Sequence, residues 1–151
     1  MVRKEAYQTI LRIFKDKEFS DTLLHQRAKR LKSDRANVAL FYNMVKGVVK
    51  LRGKLDYILS QHADEAKFAA TDIKIKIWLY LGLYQLIYLD SIPAHAAINE
   101  TVKLAKENLG DKVGDFVNAM LRSWQREPEV VYPTDPVQRI ACEHSYPPEL
   151  I

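Results

Sequence analysis

The sequence predicts an all-α protein, and three observations carry that prediction. Apolar residues recur at helical spacing along most of the chain up to residue 127. Only five glycines occur in 151 residues, each standing alone at 47, 53, 82, 110 and 114, too few for a turn-rich β fold. The longest apolar run, "IWLYLGLYQLIYL" at residues 77–89, is too long for one strand and carries no turn signal.

The first segment groups Ala6, Tyr7, Ile10, Ile13 and Phe14 on one helical face, with Lys4, Gln8, Arg12 and Lys15 on another. Ser20 and Asp21 are suited to cap a second helix carrying Leu23, Leu24, Ala28 and Leu31. In "SDRANVALFYNMVKGVVKL", Val38, Phe41, Tyr42, Val45, Val48 and Val49 follow one helix face, and Ser33 is placed to cap it. Gly53 reads as a break, with Leu55, Ile58 and Leu59 starting a further helix. "IKIKI" at 73–77 alternates like a strand, but the continuing apolar run favours a buried helix. Pro93 is placed at a first helical position, where its missing N–H costs nothing. The helix it opens buries Ala94, Ala97, Ile98, Thr101, Val102 and Ala105 and ends at Gly110. A last long helix, Lys112 to about Glu127, buries Val113, Phe116, Val117, Met120, Leu121 and Trp124.

Beyond Glu127 the character changes. Five of the six prolines lie between residues 128 and 148, a density no packed helix tolerates. We expect a proline-rich linker with one short helix at 129–151, following a folded domain at 1–128 and leading to a downstream domain absent from this sequence.

The N-terminus has no apolar signal core, and the 13-residue apolar run falls short of the roughly 20 residues a membrane helix needs, so a soluble, cytoplasmic protein with no membrane partner is expected. The lone Cys142 excludes an internal disulfide framework. Histidines 25, 62, 95 and 144 have none of the short spacings of a helical metal site, and Cys142 and His144 diverge on a helix. No glycine-rich phosphate loop is present, so no catalytic residue, metal or cofactor is assigned to this chain.

The charge is more informative. Residues 1–60 carry a net +8 and residues 61–151 a net −4. A basic half favours a polyanionic partner through counterion release, although solvated helix faces have the same composition. The candidates are Arg3 with the stripe Lys4, Gln8, Arg12 and Lys15; Arg27 and Arg30 within "RAKRLKSDR"; and Lys46, Lys50, Arg52 and Lys54 around the expected Gly53 junction. Tyr7 and Gln8 are positioned to add base contacts. His95 and Asn99, with Asn118 and Arg122 on the last helix, form a secondary polar set. They serve either as a contact surface or as the hydrogen bonds fixing how two helices meet.

"IPAHAAINETVKLAK" followed by "DFVNAMLR", with "LGLYQLIYL" upstream, resembles the NusB fold family over about residues 3–150. Within it, "PAHAA", "NAMLR" and the tail "ACEHSYPPELI" are most similar to the N-terminal domain of Sun/RsmB-type 16S ribosomal RNA cytosine-C5 methyltransferases. The tail departs from that pattern at Tyr146 and Glu149. The resemblance implies a bundle of about seven helices in two packed subbundles, and an RNA-binding domain engaging 16S ribosomal RNA. It places S-adenosylmethionine and catalysis in a downstream methyltransferase domain. The alternative it implies is a stand-alone transcription antitermination factor that binds RNA with a ribosomal protein partner. By the same resemblance Arg3, Lys4, Gln8 and Arg12 fall on the family's RNA-binding helix, and Phe116 lies where antitermination proteins approach RNA or a partner.

Overall fold

A computed structural model describes residues 1–32 and 34–128, and among them the regular structure is helical throughout. The elements are α1 (Val2–Asp16), α2 (Asp21–Ala28) with a closing 3-10 turn at Lys29–Leu31, α3 (Arg35–Ser60), α4 (Glu65–Ala69), α5 (Ile73–Tyr88), α6 (Ala94–Leu109) and α7 (Asp111–Arg126). The linker and short helix expected at 129–151 lie outside the described residues, as do Cys142 and His144.

Short polar side chains start α2, α3, α4 and α5 by accepting from amides that lack a helical partner. Ser20 Oγ accepts from Leu23 N at 3.1 Å, Asp64 Oδ1 from Lys67 N at 3.1 Å, and Asp72 Oδ1 from Lys74 N at 2.8 Å. For α3 the cap is Asp34, whose Oδ1 accepts from Asn37 N at 3.2 Å. The expected cap, Ser33, lies outside the described residues.

Helix α5 is the hub. Every residue from 77 to 85 is buried, because α1, α3, α6 and α7 all pack against it. Helices α1, α2 and α3 form one group and α6 pairs with α7, so α5 joins two packed halves. Trp78 stacks on Tyr7 of α1 at 4.1 Å between ring centroids and 7° between planes. Such a pair contributes about 0.5–1.5 kcal/mol beyond its buried area. The Tyr80 hydroxyl donates to the Asp56 carboxylate of α3. Where α5 passes α7, the backbones come close enough that a Cβ on Gly82 would lie 2.4 Å from Leu121 Cδ1.

Three expectations need correction. Gly53 breaks nothing: α3 runs 26 residues through it. One helical glycine costs only about 1 kcal/mol, and burial of Leu55, Ile58 and Leu59 in line with Phe41, Met44, Val45 and Val48 outweighs that. Pro93 precedes the first turn of α6 rather than occupying it, its carbonyl accepting from Ala97 N, which leaves Ala94 exposed. Tyr7 is core, 5% exposed, and cannot offer its face to a base. The short α4 has too few turns to show a periodicity.

Candidate nucleic-acid interface

Helix α1 divides its polar residues between two surfaces. Val2, Ala6, Tyr7, Ile10 and Ile13 enter the core, leaving Lys4, Arg12 and Lys15 exposed and Gln8 half-buried along the outer side. From Lys4 to Lys15 that stripe rises about 16 Å along the axis. Its one ion pair among the described residues, Arg12 Nε to Asp16 Oδ2 at 3.8 Å between exposed side chains, is of the kind that contributes little. The stripe's charges therefore remain available to an anion.

Arg3 is half-buried and positioned. Its Nε donates to Gln85 Oε1 at 2.8 Å, and Gln85 in turn donates Nε2 to Leu81 O at 2.9 Å and Thr101 Oγ1 at 3.0 Å. Burial lowers the guanidinium pKa and Glu100 opposes that, yet an arginine stays charged at any ordinary pH.

Arg27, by contrast, is turned inward. Its Nε lies 2.8 Å from Glu5 Oε1 and 3.3 Å from Thr9 Oγ1, while Nη2 donates to Gln8 Oε1 at 3.0 Å. Glu5 and Arg27 are only 9% and 16% exposed, so the pair fastens α2 onto α1 away from water. The structure thus separates Arg27 from the exposed stripe and gives Gln8 a neighbour that fixes its amide. Arg30 is 3.9 Å from the same carboxylate but 62% exposed, and it stays on the surface.

Phe116 is half-buried near the start of α7, in a cleft of about 410 Å³ shared with Lys67, Asp72, Ile75, Lys112 and Val113. Burial pushes the Tyr7 phenol of α1 up to about 12, and the charge of Asp72, which lines the cleft, adds to that shift.

The secondary polar set is only partly assembled. Arg122 Nη2 donates to Asn99 Oδ1 at 3.3 Å across the α6–α7 seam, and its Nη1 reaches Gln125 Oε1 at 3.5 Å. His95 is exposed and Asn118 half-buried on the same two helices. Spacing did not reveal a second junction, in which His62 Nδ1 and Ser123 Oγ are 2.8 Å apart and the imidazole meets Trp124 edge to face. Burial lowers the His62 pKa, with Glu127 opposing. Among the described residues, no cluster of His, Cys, Asp and Glu could hold a metal ion, and no helix is long and apolar enough to cross a membrane.

Comparison with known proteins identifies the family. The model of the NusB family matches residues 1–126. A Bacillus subtilis (strain 168) protein named "Probable ribosomal RNA small subunit methyltransferase B" is 34% identical over 156 residues, covering 99% of this chain and 34% of that protein. "Ribosomal RNA small subunit methyltransferase B" of Pseudomonas putida is 36% identical over 113 residues, 73% of this chain and 26% of that protein. "Transcription antitermination protein NusB" of Bacillus licheniformis is 29% identical over 119 residues, 79% of this chain and 89% of that protein. The chain thus spans about a quarter to a third of the length of these methyltransferases.

Proposed function

The chain belongs to the NusB family, and we propose that it is the RNA-binding domain of a ribosomal RNA (cytosine-5) methyltransferase, engaging 16S ribosomal RNA in the cytoplasm for a catalytic domain outside this sequence. The observation that carries RNA binding is the outer side of α1, where Lys4, Arg12 and Lys15 stand exposed while the basic residue that could have joined them, Arg27, is withdrawn into an ion pair. Exposed cations on a rigid helix contact phosphates with geometry set in advance, and Arg3, held by Gln85, extends the line at its open end. The Phe116 cleft, with Lys67 and Lys112 at its rim, offers an aromatic edge for an unstacked base. The methyltransferase assignment is supported by the alignment with the Bacillus subtilis protein, which covers 99% of this chain and continues past the family match.

S-adenosylmethionine, in this reading, falls to the catalytic domain. This reading is supported by the sequence, whose five glycines stand singly, and by Gly82, which is taken up in helix packing against Leu121. The second reading is a transcription antitermination factor acting with a ribosomal protein. It is favoured by the 89% of the Bacillus licheniformis protein that the chain spans.

Two experiments test these readings. An anisotropy titration with a single-stranded ribosomal RNA fragment at low salt gives saturable binding, and a flat titration overturns the RNA-binding reading. The reading frame beyond Ile151 separates the two parents. A glycine-rich cofactor loop and a Pro-Cys motif support the methyltransferase, and a stop codon supports the antitermination factor.

A further inference from the structure

The continuity of α3 through Gly53 creates a second basic line that a broken helix would not have. Lys46, Lys50 and Lys54 are four residues apart within one helix, so they share a face and rise about 12 Å along it. Lys46 and Lys50 are exposed. Aromatic rings interleave with the ammonium groups: Lys46 Nζ lies 5.6 Å from the centre of the Tyr42 ring, and Lys54 Nζ 5.5 Å from that of Tyr88. Tyr88 is 36% exposed, one of three large hydrophobic residues among those described to reach the surface to that extent.

The platform under Tyr88 is built. Its ring lies 5.1 Å from that of Tyr84, tilted by 32°. Tyr84 is fixed by its hydroxyl, which donates to the Asn43 side chain, and by the bare backbone of Gly47, where a Cβ would fall 2.2 Å from Tyr84 Cζ. At its other end the line enters a cleft of about 640 Å³ between α2 and α3. His25, Lys29, Tyr42 and Lys46 line it, together with one carboxylate, Asp21. The cleft is shallow and widely open to solvent.

Cations that track phosphates, alternating with rings that receive bases, are what single-stranded nucleic acid requires, whereas a duplex keeps its base faces stacked away. We infer that this face of α3 is a second RNA-contact surface. Lys46 and Lys50 follow the backbone of a single strand, a base stacks on Tyr88 in place of the Lys54 ammonium, and the α2–α3 cleft takes a neighbouring nucleotide. The inference rests on the RNA-binding reading above but uses none of the α1 residues that carry it.

The test is fluorescence anisotropy across a salt series, with a labelled single-stranded oligouridylate and an RNA duplex of the same length. It compares the native protein with Lys46→Gln/Lys50→Gln, Tyr88→Leu and, alongside, Lys4→Gln/Arg12→Gln. Melting curves establish that each variant is folded. Losing two phosphate contacts lowers the slope of log affinity against log salt by about 1.4 for the single strand. Tyr88→Leu weakens single-strand binding about tenfold and leaves duplex binding unchanged. If both α3 variants bind like the native protein while Lys4→Gln/Arg12→Gln does not, the α3 surface is overturned and the α1 reading stands. If the native protein binds neither RNA, both are overturned.

Discussion

Helices α1 and α2 are fastened by a withdrawn charge pair, Arg27 on Glu5, whereas α6 and α7 are joined through one glycine, an exposed guanidinium–amide bond between Arg122 and Asn99, and an exposed ion pair between Lys106 and Asp115. The first arrangement takes one cation out of a basic region and commits it to the fold, which leaves its neighbours on the surface with a fixed spacing. The second keeps its polar groups in water, where they align two helices without strongly holding them. Basic residues adjacent in sequence can thus have opposite roles, decided by whether an acid waits on the buried face opposite.

The largest expected effect is at that pair. Arg27→Met leaves the buried Glu5 carboxylate with only the exposed Arg30 guanidinium, 3.9 Å away, and should cost about 3 kcal/mol in urea unfolding. A second substitution, Glu5→Leu, should recover most of the loss, since a desolvated ion pair is often replaceable by apolar side chains. An equal loss in the single and double variants would show that packing of the Arg27 stem, not its charge, fastens α2.

In the second pair the critical position is Gly110, at φ 98° and ψ 167°, with open space where a Cβ would stand. Gly110→Ala should therefore cost about 1–3 kcal/mol through backbone strain alone. A melting temperature unchanged by that substitution would mean the α6–α7 joint adopts another conformation at no cost.

A smaller effect is set by pH. Because burial holds the His62 pKa below its ordinary value, folding favours the neutral imidazole beside Ser123 and Trp124. The unfolded chain then binds the extra proton first, so this contribution is present above about pH 6.5 and is lost as pH falls toward the lowered folded value. His62→Gln should make the decline in melting temperature between about pH 7.5 and about pH 5.5 shallower. An unaltered decline would assign it to other groups.

Much of this molecule is legible in its sequence, for identifiable reasons. Helix faces such as Val38–Phe41–Val45–Val48 and Ala97–Ile98–Thr101–Ala105 announce themselves because burial repeats at the helical period. Gly53 misled because propensity is local, while Leu55, Ile58 and Leu59 are held by partners elsewhere in the chain. The inward turn of Arg27 left one trace: Glu5 lies among Val2, Ala6 and Thr9 on an otherwise buried face, and a carboxylate there calls for a cation. Which cation answered could not be read from spacing. In the same way, Phe116 was marked by its segment, but Lys67, Asp72 and Ile75, which complete its cleft, come from distant positions.

The central claim is that the exposed side of α1 binds RNA while Arg27 serves the fold. It is tested most directly by the salt dependence of single-stranded RNA affinity in the native protein and in Lys4→Gln/Arg12→Gln. The account predicts that the slope of log affinity against log salt falls by about 1.4, as two phosphate contacts are lost, while the melting temperature is unchanged. An unchanged slope and affinity in a folded Lys4→Gln/Arg12→Gln protein would contradict it.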